Sequence, residues 1–315
     1  MCDPVMVNKC QTNCLMWADD CVVISTTQSG LQRSIDKTVE FFTQQGLSVN
    51  TKKTKTMIMN ISGHGPSSFP NIKFYIEGQQ IESCDSYNYL GIIIKPSGAV
   101  SYAAKQLLTK ANKAYFAMSN ILYENKKIGH VRGLQLFDSL ITPICTYAQE
   151  YWGLLSLPSN SFGSKDRLLD AWQQFIPESL NQRVCRLLLS VNKKTTRLAV
   201  LGELKRYPLL INTILQTLYY KFSIENKYEK DSLAHQALIE MKTYSSSGIE
   251  RWLTRAGKVE KVFNLSSLPG HPLKEKVKFK LRTTLHSIFD RHWLDKINEN
   301  KIGEDGLNHN KLRFY

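Results

Sequence analysis

The hydrophobic pattern changes character at Lys95-Pro96-Ser97-Gly98, and that change limits what the chain can fold into. Before it, apolar residues come in short runs, "CLM", "CVVIS", "KTMIMNI", "IKFYI" and "YLGIII", which read as strands when turn residues bound them. One helix interrupts them: "GLQRSIDKTVEFFTQQG" spaces Leu31, Ile35, Val39 and Phe42 at helical intervals, with Arg33, Asp36, Lys37 and Glu40 off that stripe and Gly46 as a stop. "HGPSSFPN", residues 64–71, reads as a surface loop. After Gly98 helical spacing takes over. Leu108, Ala111, Tyr115, Met118 and Leu122 share one face, and similar stripes recur in 131–142, 167–189 and 209–222, separated by "SLPSNSFGS" and Pro208. Near the end, "KEKVKFKLR" alternates charge and apolarity, but Leu273, Val277, Leu281 and Leu285 also repeat at helical spacing, and the length favours a helix. The pattern predicts an α+β protein: a sheet with a packed helix, then an all-α region.

With 42% hydrophobic and 22% charged residues over 315 positions, the chain has the composition of a globular protein rather than a disordered one. Its formal net charge of +14 suits a polyanionic partner, because each neutralised phosphate releases condensed counterions. Seven cysteines, at 2, 10, 14, 21, 84, 145 and 185, include no Cys-x-x-Cys pair and lack the spacing of a zinc site, which predicts a reducing, intracellular setting, nucleus or cytoplasm undetermined. The most apolar stretch, "LFDSLITPICTYAQEYWGLL", contains Asp138, Pro143 and Glu150 and reads as buried core rather than a membrane span. The N-terminus lacks a basic region followed by an apolar run, so neither secretion nor a membrane partner is expected.

In "CLMWADDCVVIS" two apolar runs flank a tetrad that ends in adjacent carboxylates, Asp19 and Asp20. Run, turn and run predict a hairpin with the acids at its tip. Carboxylates at a tight turn serve either as backbone hydrogen-bond acceptors or as ligands for a hard cation such as Mg²⁺, which keeps positions open for water and phosphate.

This hairpin resembles the aromatic-Ala-Asp-Asp hairpin of reverse transcriptases, and the segments after it are similar to the later palm motifs of non-LTR (LINE-type, jockey-like) retrotransposon enzymes, in order. "GLSVNTKKTK" matches the next motif through Gly46, Leu47, Asn50, Lys53, Thr54 and Lys55. "SYNYLGIII" resembles the primer grip at Tyr89, Leu90 and Gly91. "ITPICTYAQEYWG" resembles a segment in which Tyr-Gly is usual, with Ala148 here in place of the Gly. "VCRLLLSVNKKTTRLAVLGELKRYPL", "WLDKIN" and "NKLRFY" extend the likeness almost to the C-terminus.

The resemblance implies a partial reverse-transcriptase palm with an antiparallel sheet over 1–95, a thumb-like helical region over 96–157 and a basic helical region over 158–315. Asp19 would ligate Mg²⁺, with Asp20 a second ligand or a support for the hairpin; Trp17 would lie beside the primer end. Lys53 or Lys55 would meet the triphosphate and protonate the leaving pyrophosphate, and Tyr89, Leu90 and Gly91 would hold the primer. RNA template, DNA primer and hybrid duplex are the implied partners. The family's fingers and first metal-binding Asp would precede Cys14, and Asp3 is too close to the hairpin to be that ligand. The expectation is therefore a chain that is catalytically incomplete alone, completed by an upstream polymerase portion, and whose truncated sheet presents an unpaired apolar edge. The alternatives are a non-catalytic RNA/DNA duplex-binding module and a helical scaffold whose charges serve solubility.

Overall fold

A computed structural model describes residues 3–59, 72–124, 128–244, 251–265 and 274–302. The chain forms two compact units, one of residues 1–100 with 224–248, the other of 101–223 with 249–315. The mixture of small sheets and many helices agrees with the α+β expectation.

Among its described residues the first unit contains nine strands in four small sheets, where the pattern predicts a single sheet. Strands β1 (Val5–Val7) and β2 (Cys10–Thr12) pair antiparallel, as do β3 (Cys14–Trp17) and β4 (Asp20–Val23). Helix α1 (Gln28–Gln44) comes next, its N-terminus capped by Thr27, whose hydroxyl accepts from Gly30 N–H at 3.0 Å. It stops at Gly46, φ +71°, as its sequence signal predicts. Strands β5 (Lys55–Thr56), β6 (Phe74–Ile76) and β7 (Gln79–Ser83) form one sheet with β7 in the centre, and β8 (Tyr87–Tyr89) pairs with β9 (Ile92–Ile94). The core is Ile35 of α1 on Phe74, Ile76 and Ile81, with Leu31 and Val39 packed alongside.

Three expectations need correction. Among the described residues of "KTMIMNI", two form β5 and 57–59 are irregular. "YLGIII" is not one strand but a turn and one arm of a hairpin. Strand β7, "QQIES", is not foreseen by the hydrophobic pattern, because Ile81 is its one apolar residue. The 64–71 loop lies outside the described residues.

The open edge of β6 is closed by a side chain. The Gln32 amide of α1 donates to Tyr75 C=O at 2.8 Å and accepts from Tyr75 N–H at 2.9 Å, imitating a neighbouring strand. At β1–β2, Asn8 takes the left-handed turn position, φ +50°. Its N–H donates to Glu240 at 2.8 Å and its side-chain amide to Gln236 at 2.6 Å, both on a helix of the same unit, Leu233–Tyr244.

The second unit is helical. Helix α2 (Ser101–Glu124) buries Ala104, Leu107, Ala111, Tyr115 and Met118, close to the expected stripe. Helix α3 (His130–Leu140) passes into two short helices, α4 (Thr142–Cys145) and α5 (Gln149–Trp152). The 167–189 stripe is divided: α6 (Lys165–Asp170) and a 3₁₀ turn (Ala171–Gln174) end before Pro177, and α7 (Glu178–Leu189) begins after it. Proline lacks an N–H and disfavours helix at the residue before it, which forces the break. Then come α8 (Arg197–Glu203) and α9 (Leu209–Lys227), whose last residues belong to the first unit, as does α10, the Leu233–Tyr244 helix beneath Asn8. Helices α11 (Trp252–Val262) and α12 (Lys274–Ile302) complete the second unit. Helix α12 buries Val277, Leu281 and Leu285, as read from the sequence; Leu273 lies outside the described residues. Gly133 lets α3 lie against α7, since a Cβ there would sit 2.3 Å from Leu188 Cδ2.

The apolar stretch around Pro143 is core, as expected: Ile141, Cys145, Trp152 and Leu154 are fully buried. No helix among the described residues is long and apolar enough to cross a membrane. The irregular backbone after Pro143 is satisfied by side chains of α11. Trp252 Nε1 donates to Glu150 C=O at 2.6 Å, and Arg255 Nη1 donates to the Leu154 and Leu157 carbonyls at 2.6 and 2.7 Å. Ala148 sits there at φ +51°, in the left-handed region, which accounts physically for the glycine usual at this position in the family it resembles.

A buried polar cluster fixes the start of α9. Glu178 accepts from Leu209 N–H at 2.8 Å and from the Asn181 amide at 2.7 Å, while Arg206 donates to Asn181 at 2.6 Å and forks onto Asp138 at 2.6 and 2.9 Å. Burial pushes the Glu178 carboxyl up to about 6, against the lowering effect of the Asn181 and Leu209 hydrogen bonds. A carboxyl raised in the folded state binds protons more tightly there than in the unfolded chain. Its ionisation therefore costs stability as pH rises from about 4.5 to about 6.

Glu178→Gln removes that titration, so denaturant unfolding monitored by tryptophan fluorescence should show the variant gaining about 2 kcal/mol relative to wild type between pH 4 and pH 7, at about 1.4 kcal/mol per unit. Ala148→Gly relieves the left-handed strain and should raise stability by about 0.5–1 kcal/mol in the same assay, net of the extra unfolded-state entropy of glycine.

Candidate functional site

The β3–β4 hairpin is built as the run–turn–run pattern predicts. Its register pairs Cys14 with Val23, Leu15 with Val22, Met16 with Cys21 and Trp17 with Asp20, and Ile24 N–H extends the ladder to Asn13 C=O at 2.8 Å. Only Ala18 and Asp19 remain to turn the chain. A two-residue turn needs a positive φ to match strand twist, and Ala18 supplies it at +53°.

That geometry sets the positions of the side chains. Asp19 lies in the turn, and Asp20 pairs across the ladder with Trp17, on the same face of the hairpin. Both carboxylates are exposed, and Trp17 is 69% exposed, an unusual setting for an indole. On the opposite face, Cys14 and Cys21 thiols meet at 3.4 Å. Burial, with Cys14 adding to it, pushes the Cys21 thiol up to about 12, which keeps it protonated and unsuited to bind a metal as thiolate. Among the described residues, no group of three or more His, Cys, Asp or Glu could hold a metal ion.

The two lysines differ. The Asn50 side chain accepts from Lys53 N–H at 3.0 Å and its carbonyl from Thr54 N–H at 3.0 Å, so one asparagine shapes the turn that presents Lys53 to solvent. Lys55 stands opposite Glu82 in the parallel β5–β7 pair, and its Nζ is 2.5 Å from the Glu82 carboxylate. The hydrophobic pattern does not reveal Glu82, because it does not reveal the strand that carries it.

Tyr89, Leu90 and Gly91 form the second tight hairpin. Tyr89 pairs with Ile92, and Leu90 and Gly91 turn the chain at φ +47° and +83°, the two left-handed residues of a type I′ turn. Glycine adopts this freely; leucine does so at a cost, and here it leaves its side chain partly exposed. The predicted residues thus fall on three separate sheets: Trp17, Asp19 and Asp20 on one hairpin, Lys53 and Lys55 on the approach to β5 and its first residue, and Tyr89 to Gly91 on another hairpin. Asp3 is occupied elsewhere, accepting from the Thr27 hydroxyl and lying 3.5 Å from Arg33.

The family model for reverse transcriptase (RNA-dependent DNA polymerase) matches residues 4–94, starting ten residues before the first motif read in the sequence. The Retrovirus-related Pol polyprotein from the type-2 retrotransposable element R2DM of Drosophila melanogaster is 33% identical over 100 residues, 30% of this chain and 9% of that protein. A transposon-derived protein of Caenorhabditis elegans is 26% identical over 140 residues, 44% of this chain and 48% of its own length. The chain therefore spans less than half the length of these curated relatives. No solved structure matches it. Residues 4–94, with the Asp19-Asp20 hairpin, α1 and the Tyr89-Leu90-Gly91 turn, match the reverse transcriptase family, and the chain is similar to proteins of non-LTR retrotransposon kind.

Proposed function

We propose that this chain is the part of a mobile element's RNA-directed DNA polymerase that runs from the carboxylate hairpin through the thumb, and that it does not extend a primer by itself. The observation that carries this reading is the pair of exposed, adjacent carboxylates on a two-residue turn, inside the segment that matches the reverse transcriptase family. Adjacent like charges at a tip repel each other, and a hard cation offsets that repulsion.

Asp19 and Asp20 would hold Mg²⁺, for which exposed carboxylate oxygens are suitable donors. When bound, the ion supplies charge neutralisation at the attacking 3′-hydroxyl and the departing pyrophosphate. Two carboxylates at one tip form one side of such a clamp; in this reading a further ligand comes from another polypeptide segment. Trp17, beside Asp20, offers an apolar face to the primer terminus, and Tyr89 with the Leu90-Gly91 turn offers backbone and ring contacts to the primer strand. Of the lysines, Lys53 suits the triphosphate better, because Lys55 is already paired with Glu82. The thumb-like 96–157 and basic 158–315 regions would contribute duplex contacts through the chain's net charge of +14. A reducing compartment belongs to the same reading, since it keeps Cys14 and Cys21 as thiols.

Primer extension on an RNA template with Mg²⁺, using the purified chain beside an Asp19→Ala, Asp20→Ala control, tests this. The expected result is no incorporation, with salt-sensitive binding to the primer–template duplex intact. Incorporation that the double substitution abolishes would overturn the incompleteness of the site, and absence of duplex binding would overturn the polymerase reading.

A further inference from the structure

In the helical unit, a cleft of about 850 Å³ opens between the C-terminal half of α2 and α7 with the turn that comes after it. Among the described residues that line it, three are cations, Arg183, Arg186 and Lys193, and none is acidic. Its other walls are apolar and aromatic: Tyr115, Tyr123 and Leu122 among them.

The cations are placed rather than merely present. Arg183 Nη1 donates to Asn112 Oδ1 at 3.0 Å, and its guanidinium carbon lies 5.4 Å from the Tyr115 ring centroid, so an exposed side chain is held by a hydrogen bond and a ring. Arg186, at the same wall, is held by its Nη2 donating to Thr195 C=O at 3.0 Å. A guanidinium offers five donors in a fork that fits phosphate oxygens. Ser190, at φ +55°, ends α7, and a turn closed by Thr195 N–H on Asn192 C=O sets Lys193 at the rim. Opposite, Tyr123 leaves 66% of its surface in solvent. A cleft with cations on one wall and an exposed aromatic ring on the other suits a ligand that is anionic at one end and flat at the other.

We propose that this cleft binds an unpaired nucleotide, its phosphate on Arg183, Arg186 and Lys193 and its base stacked on Tyr123. The shared chemistry is a nucleoside monophosphate unit, either free or within a single strand. The site is argued from its own residues and stands whether or not residues 4–94 take part in polymerisation.

Fluorescence anisotropy of a labelled eight-nucleotide single-stranded RNA on the full chain tests it. The Arg183→Gln, Lys193→Gln double variant should bind at least about tenfold more weakly at about 0.1 M salt, and its salt dependence should flatten by up to about 0.7 in log–log slope, the value for one phosphate no longer neutralised. Tyr123→Ala should weaken binding by at least about fivefold, the lower end for loss of one stacked base. A Lys105→Gln, Lys110→Gln control makes the same charge change on α2 away from the cleft and should lose little. Competition with adenosine monophosphate separates the sources: displacement of the RNA assigns the site to free nucleotides, and no displacement assigns it to a strand. The proposal is overturned if the cleft variants match the charge control, or if they lose blunt hybrid-duplex binding to the same extent as single-stranded binding.

Discussion

Buried backbone must find hydrogen-bond partners, and in this chain many regular elements are too short to provide them for each other. Sheets of two or three strands and helices of four residues leave edges and ends open. Side chains close them. Gln32 serves as a substitute strand for Tyr75, Gln236 and Glu240 receive the Asn8 turn, Trp252 and Arg255 reach the carbonyls of 150–157, and Glu178 caps the start of α9. Each of these is a long-range pairing of an amide, indole, guanidinium or carboxylate, most of them with main chain. Where the pairing is buried, as for Leu209 N–H on Glu178 and the Leu154 and Leu157 carbonyls on Arg255, cutting it leaves a polar group unpaired, which costs about 1–3 kcal/mol.

The same constraint explains how a small sheet tolerates its edge. Strand β6 is an edge strand, and at Tyr75 both of its outward main-chain groups are bonded to Gln32. One amide side chain supplies both a donor and an acceptor, which a lysine or an ionised glutamate cannot do. The hairpins obey a different rule. With two residues per turn, β3–β4 and β8–β9 force one or both into left-handed conformations, and the side chains at the turn are left in solvent. Exposure of Asp19 is a consequence of that geometry.

Legible in the sequence is whatever repeats or punctuates. The α1 stripe, its stop at Gly46, the α2 face, the carboxylate hairpin and the change of character near Gly98 all rest on local spacing or turn chemistry, and all are present. The β7 strand is not legible, because a strand with one buried side chain has no alternation to read. With it go Glu82 and the pairing that distinguishes Lys55 from Lys53. Partners separated by more than a hundred residues, such as Asn8 with Gln236 or Trp252 with Glu150, leave no local trace. Ala148 is intermediate: the sequence marks it as a departure from the family it resembles, and only the backbone angle shows what that departure costs.

If Asp19 and Asp20 form a hard-cation half-site held ready by their hairpin, the chain binds a divalent ion there even where it performs no chemistry. Electron paramagnetic resonance of free Mn²⁺, titrated with the full chain and with an Asp19→Asn, Asp20→Asn variant, measures this without any need for catalysis. A half-site predicts weak but definite loss of the free-ion signal with the wild-type chain and none beyond background with the variant. Equal signals from the two chains would contradict it.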